Sequence, residues 1–206
     1  MTNLAHRLVD YLIENDITSS SMRDVHIYSF EVLFGKILNY GTLLLLAYVN
    51  RNIISTLFFM LTFFSLRGRT GGYHAPRATG CYIGTLFIYF TVSKIIVKFL
   101  VQNTYTLFGT VVISSIIIFF FAPLNHPNLK LDENEIQACK NYSRWLAVLI
   151  STIIFMSIWL DIIPTFIPYI AAGIGIDAGL LILGKILKQE VQKDEEIEEE
   201  TFKRCS

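Results

Sequence analysis

His74 and Cys81 stand seven residues apart in the stretch RGRTGGYHAPRATGC, residues 67–81, which interrupts an otherwise apolar chain. A cysteine attacks a carbonyl carbon as the thiolate, and it needs a nearby base or a positive field to react in that form. On one continuous helix this spacing would place both side chains on one face but about 10 Å apart along the axis, beyond direct proton transfer. Gly71, Gly72, Pro76 and Gly80 oppose such a helix, and Pro76 biases Ala75 towards extended backbone. The spacing therefore predicts a turn that folds His74 back to Cys81. The next apolar run begins near Tyr82, which puts Cys81 in the first turn of a helix with Thr79 as its N-cap. The positive end of that helix, together with Arg67, Arg69 and Arg77, favours an anion at this place, either a thiolate or an anionic substrate group. Residue types alone leave two other readings open. One is a tight loop whose arginines snorkel and whose glycines only permit the turn. The other is a metal site drawing on His74, Cys81, His126 and Cys139, but their scattered spacing lacks a ligand pair such as Cys-x-x-Cys, and no metal or other cofactor is expected.

What must position this pair is a membrane bundle. Of the 206 residues 53% are hydrophobic and only 17% charged, more apolar surface than a soluble fold of this size can hide. Lys plus Arg equal Asp plus Glu at 17 each, so no net charge argues for nucleic acid as a partner. Apolar runs separated by short polar breaks predict an all-α polytopic membrane protein with about six spans, at residues 30–49, 52–66, 82–101, 106–124, 145–163 and 165–187. The second is short, about 22 Å as a helix. It would barely cross the hydrocarbon.

Six spans put both termini on one side. Thirteen of the basic residues then fall there, Arg67, Arg69 and Arg77 among them, and only Arg51 falls opposite; Lys36, Lys94 and Lys98 lie within spans. That asymmetry predicts cytoplasmic termini and a cytoplasmic His–Cys loop. Ahead of the first span, Leu4, Leu8, Tyr11 and Leu12 share one face of a helix, as expected of an amphipathic segment on the membrane surface. The organisation expected is thus an N-terminal amphipathic segment over residues 1–29, one transmembrane domain over 30–187 with a catalytic loop at 67–81, and a charged tail over 188–206. The N-terminus lacks the pattern of a cleaved signal peptide. Three scattered cysteines, Cys81, Cys139 and Cys205, suggest free thiols in a reducing compartment.

Other polar residues have structural readings beside functional ones. Asp177, near the middle of the last span, is expected to pair with Lys94 or to accept a hydroxyl hydrogen bond inside the bundle. Ala171, Gly175 and Gly179 around it form a small-residue stripe suited to close helix packing within the chain or across a dimer. Glu31, at the cytoplasmic edge of the first span, could pair with Lys36 or Arg67 or orient the His74 ring, a role for which Asn125 and Asp132 are equal candidates.

The string SLRGRTGGYHAPRATGC resembles the signature of the accessory gene regulator B (AgrB) family of bacterial membrane endopeptidases: an Arg, a Gly-Gly-Tyr-His-Ala core, and a Cys seven residues after the His. YSFEVLF at 28–34 is similar to the family's opening to the first span, and APLNHPNLKL at 122–131 to its loop after the fourth; the acidic tail after about residue 190 is not covered. The resemblance implies Cys81 as nucleophile and His74 as its base, with weight also on Arg67 and Gly72, and a weaker suggestion of roles for Arg69, Arg77 and Glu31. It further implies an AgrD-type precursor peptide as substrate, loss of that peptide's C-terminal segment, closure of a thiolactone or lactone ring, and a homodimer in the bilayer of a bacterial cell. Thioester exchange would conserve the activated bond, consistent with the lack of a nucleotide-binding P-loop pattern. The alternative is a non-enzymatic transporter or scaffold, with Lys94, Lys98 and Asp177 along a pathway and residues 67–81 as a gate.

Overall fold

A computed structural model of the chain describes residues 2–15, 17–19, 22–73, 78–124 and 133–187. Over them the chain is helical, in the order α1 (Thr2–Glu14), α2 (Arg23–Val49), α3 (Ile53–Thr70), α4 (Ala78–Thr91), α5 (Val97–Gln102), α6 (Thr104–Phe121), α7 (Glu133–Trp159) and α8 (Ile167–Ile186), with a π-helical stretch, Val92–Ile96, joining α4 to α5 without a break. The described residues contain no strand. Five stretches are long and apolar enough to cross a membrane: α2, the run from Gly80 to Gln102, α6, α7 from Asn134 onward, and α8. Large apolar side chains face outward along them, Trp159 at 78% exposed, Phe120 at 73% and Phe87 at 71%, the arrangement of a protein whose solvent is lipid.

The second predicted span is α3, an apolar run that ends in a polar last turn carrying Arg67 and Arg69. It lies inside the bundle against α8 and buries Ser55, Thr56, Thr62 and Thr70 beside Phe59, Phe63 and Leu66. Its first end is tied to the start of α8, where the Asn52 side chain donates to the Tyr169 hydroxyl, and its last turn meets α8 again at Asp177. The helix also runs to Thr70, past the predicted end at 66, so its 18 residues reach about 27 Å. The short-span difficulty disappears. The two arginines expected in the loop stand instead in the last helical turn, where cations complement the free carbonyls.

Other boundaries moved for local reasons. The first and fifth spans begin earlier, at Arg23 and Glu133, because a helix needs no bilayer to continue through polar turns, and the fifth ends at Trp159 as Asp161 turns to positive φ. The fourth stops at Phe121 rather than 124: the residue before Pro123 is kept from helical geometry, and Ala122 is extended. α8 is the hub, wrapped by α3, α6, α7 and the α5 region, and burying Ala171, Ala172, Gly173 and Ile174 where small side chains let neighbours approach. Within the small-residue stripe, a Cβ on Gly175 would meet Thr110 of α6, so that contact is made within the chain, whereas Gly179 has open space beside it.

α1 docks by a different face from the one its sequence pattern suggests. Ala5 and Val9 are fully buried against Ile27 of α2, with Ile13, Phe30 and Phe34 around them, while Leu4 and Tyr11 remain more than half exposed and Leu8 37% exposed. An Arg23–Asp10 ion pair of 2.8 Å adds to the joint. α1 thus has two apolar edges, one packed on α2 and one exposed. Val9→Ser should cost about 1.5 kcal/mol or more of the docking energy and open the α1–α2 joint to limited proteolysis. Leu8→Ser, on the free edge, should leave the digestion pattern unchanged.

Candidate functional site

The site lies where α3 hands over to α4 against the far half of α8. After Thr70 the chain turns through Gly71 at φ +72 and Gly72 at φ +95, a region that favours glycine. Both glycines are also pressed against other elements. A Cβ on Gly71 would strike the Leu124 carbonyl, and one on Gly72 would strike the Arg67 guanidinium and approach the Leu180 carbonyl oxygen to 3.0 Å. Residues 71–73 leave the helix after α3, and α4 begins at Ala78; the turn expected between His74 and Cys81 falls on residues outside those described.

Arg67 organises this turn. One guanidinium nitrogen donates to the Gly71 carbonyl and another to the Tyr73 carbonyl, so the side chain spans the turn like a clamp. The planar fork of arginine suits such double donation, which lysine could not reproduce. The Tyr73 carbonyl belongs to the peptide unit that links Tyr73 to His74, so the clamp acts on the backbone entering the histidine. Around it the Tyr73 amide donates to the Leu180 carbonyl at 3.0 Å, and the Leu124 amide donates to the Thr70 carbonyl at 2.8 Å. Pro123 thus contributes indirectly, since ending α6 early frees the Leu124 amide for this bond. Gly184 completes the seat: a Cβ there would lie 2.7 Å from the Tyr73 nitrogen and 2.8 Å from the Leu124 side chain.

Cys81 is a free, exposed thiol in the first turns of α4, next to backbone amides that have no partner within the helix. α4 begins at Ala78, which places Thr79 inside the first turn instead of at the cap. The start of α4 is anchored to α2 by the Tyr82 hydroxyl with Thr42 at 3.0 Å and by the Asn39 side-chain amide donating to Thr85 at 3.3 Å. Of the expected site residues, Arg67 and Gly72 meet in the turn after α3, and Cys81 stands at the start of α4. His74 and Arg77 lie outside the described residues, as do Asn125, His126, Asp132 and the tail from residue 188.

The weaker candidates go elsewhere. Arg69 stacks over the Tyr142 ring of α7, 5.0 Å from its centroid, and belongs to the α3–α7 contact. Glu31 lies one turn beyond Ile27 on α2, beside the α1 joint, and forms no ion pair with Lys36 or Arg67. Asp177 does not pair with Lys94, whose ammonium donates to Asn50 at 3.3 Å; the Asp177 carboxylate accepts instead from the Thr70 hydroxyl at 3.1 Å. Nor do Lys94, Lys98 and Asp177 form a pathway: the two lysines are exposed, Asp177 is fully buried, and a cavity of about 530 Å³ between α6 and α8 is lined by none of the three. Sequence reasoning missed Thr70, Leu180 and Gly184. Of these only Gly184, a glycine near the end of an apolar helix, carried a visible signal.

An all-α polytopic membrane protein, with a glycine turn clamped by an arginine between two spans and a free thiol at the start of the second, is the class that fold and site define. The chain belongs to the accessory gene regulator B family, whose model matches residues 5–181. Relatives named Accessory gene regulator protein B from Staphylococcus aureus strains Newman and USA300 are each 28% identical over 157 residues, covering 75% of this chain and 80% of theirs. No solved structure matches the chain.

Proposed function

We propose that the protein is a membrane-embedded cysteine endopeptidase of the agr quorum-sensing system, which removes the C-terminal segment of a small AgrD-type precursor peptide and closes the remainder into a thiolactone or lactone. The observation that carries this reading is the exposed Cys81 thiol at the start of the helix that follows the Arg67-clamped turn leading to His74.

The reaction runs in two balanced steps. His74 takes the Cys81 proton, the sulfur attacks the scissile carbonyl, and the C–N bond breaks as the departing amine takes a proton from the His74 imidazolium. A Cys or Ser within the same peptide then attacks the thioester carbonyl, gives its proton to His74, and expels the Cys81 thiolate. One acyl bond is exchanged for another, so neither nucleotide nor metal takes part. Water competes for the thioester and would release a linear peptide, so the site must exclude it. Placement at the membrane surface, with the free edge of α1 in the same leaflet, serves that end. It also suits an amphipathic precursor that arrives along the cytoplasmic face. The count of basic residues favours that face for the site and both termini, and we take the working form to be a homodimer in the bacterial cell membrane.

Reconstitution in vesicles with candidate precursors, followed by mass analysis, tests the reading. The expected product is one water lighter than the linear N-terminal fragment and appears with an equal amount of the C-terminal segment. Failure to cleave every precursor encoded beside the gene, by protein shown to be folded and inserted, would overturn it.

A further inference from the structure

The two halves of the proposed dyad are held by different helices. The backbone entering His74 is seated on α8, where the Tyr73 amide donates to the Leu180 carbonyl at 3.0 Å. The helix that carries Cys81, α4, packs instead on α2. There the Asn39 side-chain amide donates to the Thr85 hydroxyl at 3.3 Å, and that hydroxyl donates in turn to the Cys81 carbonyl at 2.9 Å. The direction of the first bond follows from the second: the Thr85 hydrogen goes to Cys81, so only lone pairs are left to meet Asn39. The Asn39 Oδ1 is thereby turned away, buried and without a hydrogen-bond partner. The neighbouring Thr42–Tyr82 pair joins the same two helices and leaves no such orphan. A hydroxyl bonded to the carbonyl one turn before it bends the helix at that peptide. Asn39 therefore reaches the peptide of the nucleophile itself through Thr85, at a cost in unmatched polarity that joining two helices does not require.

We propose that Asn39 is a positioning residue for the Cys81 reaction: by donating to Thr85, which donates to the Cys81 carbonyl, it sets the first turn of α4, and with it the thiol, in register on α2. The proposal rests on the endopeptidase reading above. It assigns Asn39 no contact with the precursor and no proton to carry. Its influence passes through the Thr85 hydroxyl, and removing it slows the reaction without loosening the fold, a combination that a packing role would not produce.

Asn39→Leu keeps the volume while removing both the donor and the orphaned acceptor. In the reconstituted full-length protein, kcat for precursor cleavage should fall about tenfold, the effect of a thiol displaced by a fraction of an ångström, with KM within about twofold of the parent. The thermal unfolding midpoint of the same variant should not fall, because an unmatched buried acceptor gives way to an apolar group of similar size. Thr85→Val should be at least as slow as Asn39→Leu, and Thr85→Ser, which keeps the hydroxyl, should restore kcat to within about threefold of the parent. The double variant Asn39→Leu with Thr85→Val should be no slower than Thr85→Val alone, because a residue that acts only through that hydroxyl has nothing left to lose once it is gone. Parent-like kcat or a lowered midpoint in Asn39→Leu, or losses that multiply in the double variant, would overturn the proposal. If Asn39→Leu does not insert, the Thr85 variants decide: a loss in Thr85→Val that Thr85→Ser recovers supports the inference, and equal rates for the two overturn it. A parent protein that fails to cleave, or a Cys81→Ala variant that still does, would instead overturn the endopeptidase reading itself.

Discussion

If Cys81 is the nucleophile proposed above, Cys81→Ala should lower precursor cleavage by at least about 10³-fold, since removal of a covalent nucleophile leaves only the binding and field contributions of the site. The loss is chemical and not structural. The Cys81 side chain is exposed, and the start of α4 is held by Tyr82, Asn39 and Thr85 rather than by the thiol, so the substitution should change stability by no more than about 0.5 kcal/mol. Mass analysis of the reconstituted reaction, beside a thermal unfolding curve in the same detergent, separates the two effects. His74→Ala should give a loss of similar order, because nucleophile and base act as a unit. Cys139→Ala is the matched control: that thiol is buried in α7, and cleavage should continue. Persistent cleavage by Cys81→Ala would remove the thioester from the account.

Gly72→Ala is expected to have the next largest effect, about 10²-fold on cleavage. At φ +95 a side chain is strained by about 1–3 kcal/mol wherever it points. Here it points at the Arg67 guanidinium and the Leu180 carbonyl, so the clamp must leave the Gly71 and Tyr73 carbonyls or the turn must lift from α8. Either movement shifts the histidine's approach to the thiol, and a displacement of about 1 Å is enough to cost that factor. Gly184→Ala attacks the same seat from α8, through the Tyr73 nitrogen and Leu124, and should reproduce the loss without touching Arg67. Gly68→Ala, four residues before Gly72 but inside α3 with nothing within 4 Å of its Cβ, should keep activity and add a little helix stability. Equal rates for Gly72→Ala and Gly68→Ala would show that the turn does not position the chemistry.

Much of this protein is legible in order along the chain. The apolar runs yielded the bundle of helices, Gly71 and Gly72 marked the break after α3, and the string around His74 and Cys81 pointed to the family that the comparison then showed. Where the reading missed, the deciding interaction was remote. The apolar face of Leu4, Leu8, Tyr11 and Leu12 was visible along the chain, but the packing of α1 on α2 through the smaller Ala5 and Val9 was not. Of the two partners expected for Asp177, a lysine or a hydroxyl, the hydroxyl is the one found, but that it belongs to Thr70, 107 residues away in sequence, no local pattern could name.

The division follows from the range of the forces. The apolar runs, the glycine turn and the seven-residue spacing of His74 and Cys81 depend on neighbours within a few residues, and the sequence by itself determined them. Which helix lies at the centre, where the serines and threonines of α3 are buried, and which acceptors Arg67 finds depend on how the helices pack. No local pattern specifies that packing, because it is settled by the whole set of steric and hydrogen-bonding demands inside the bundle, and only the tertiary structure brought Thr70 and Asp177 together behind the turn.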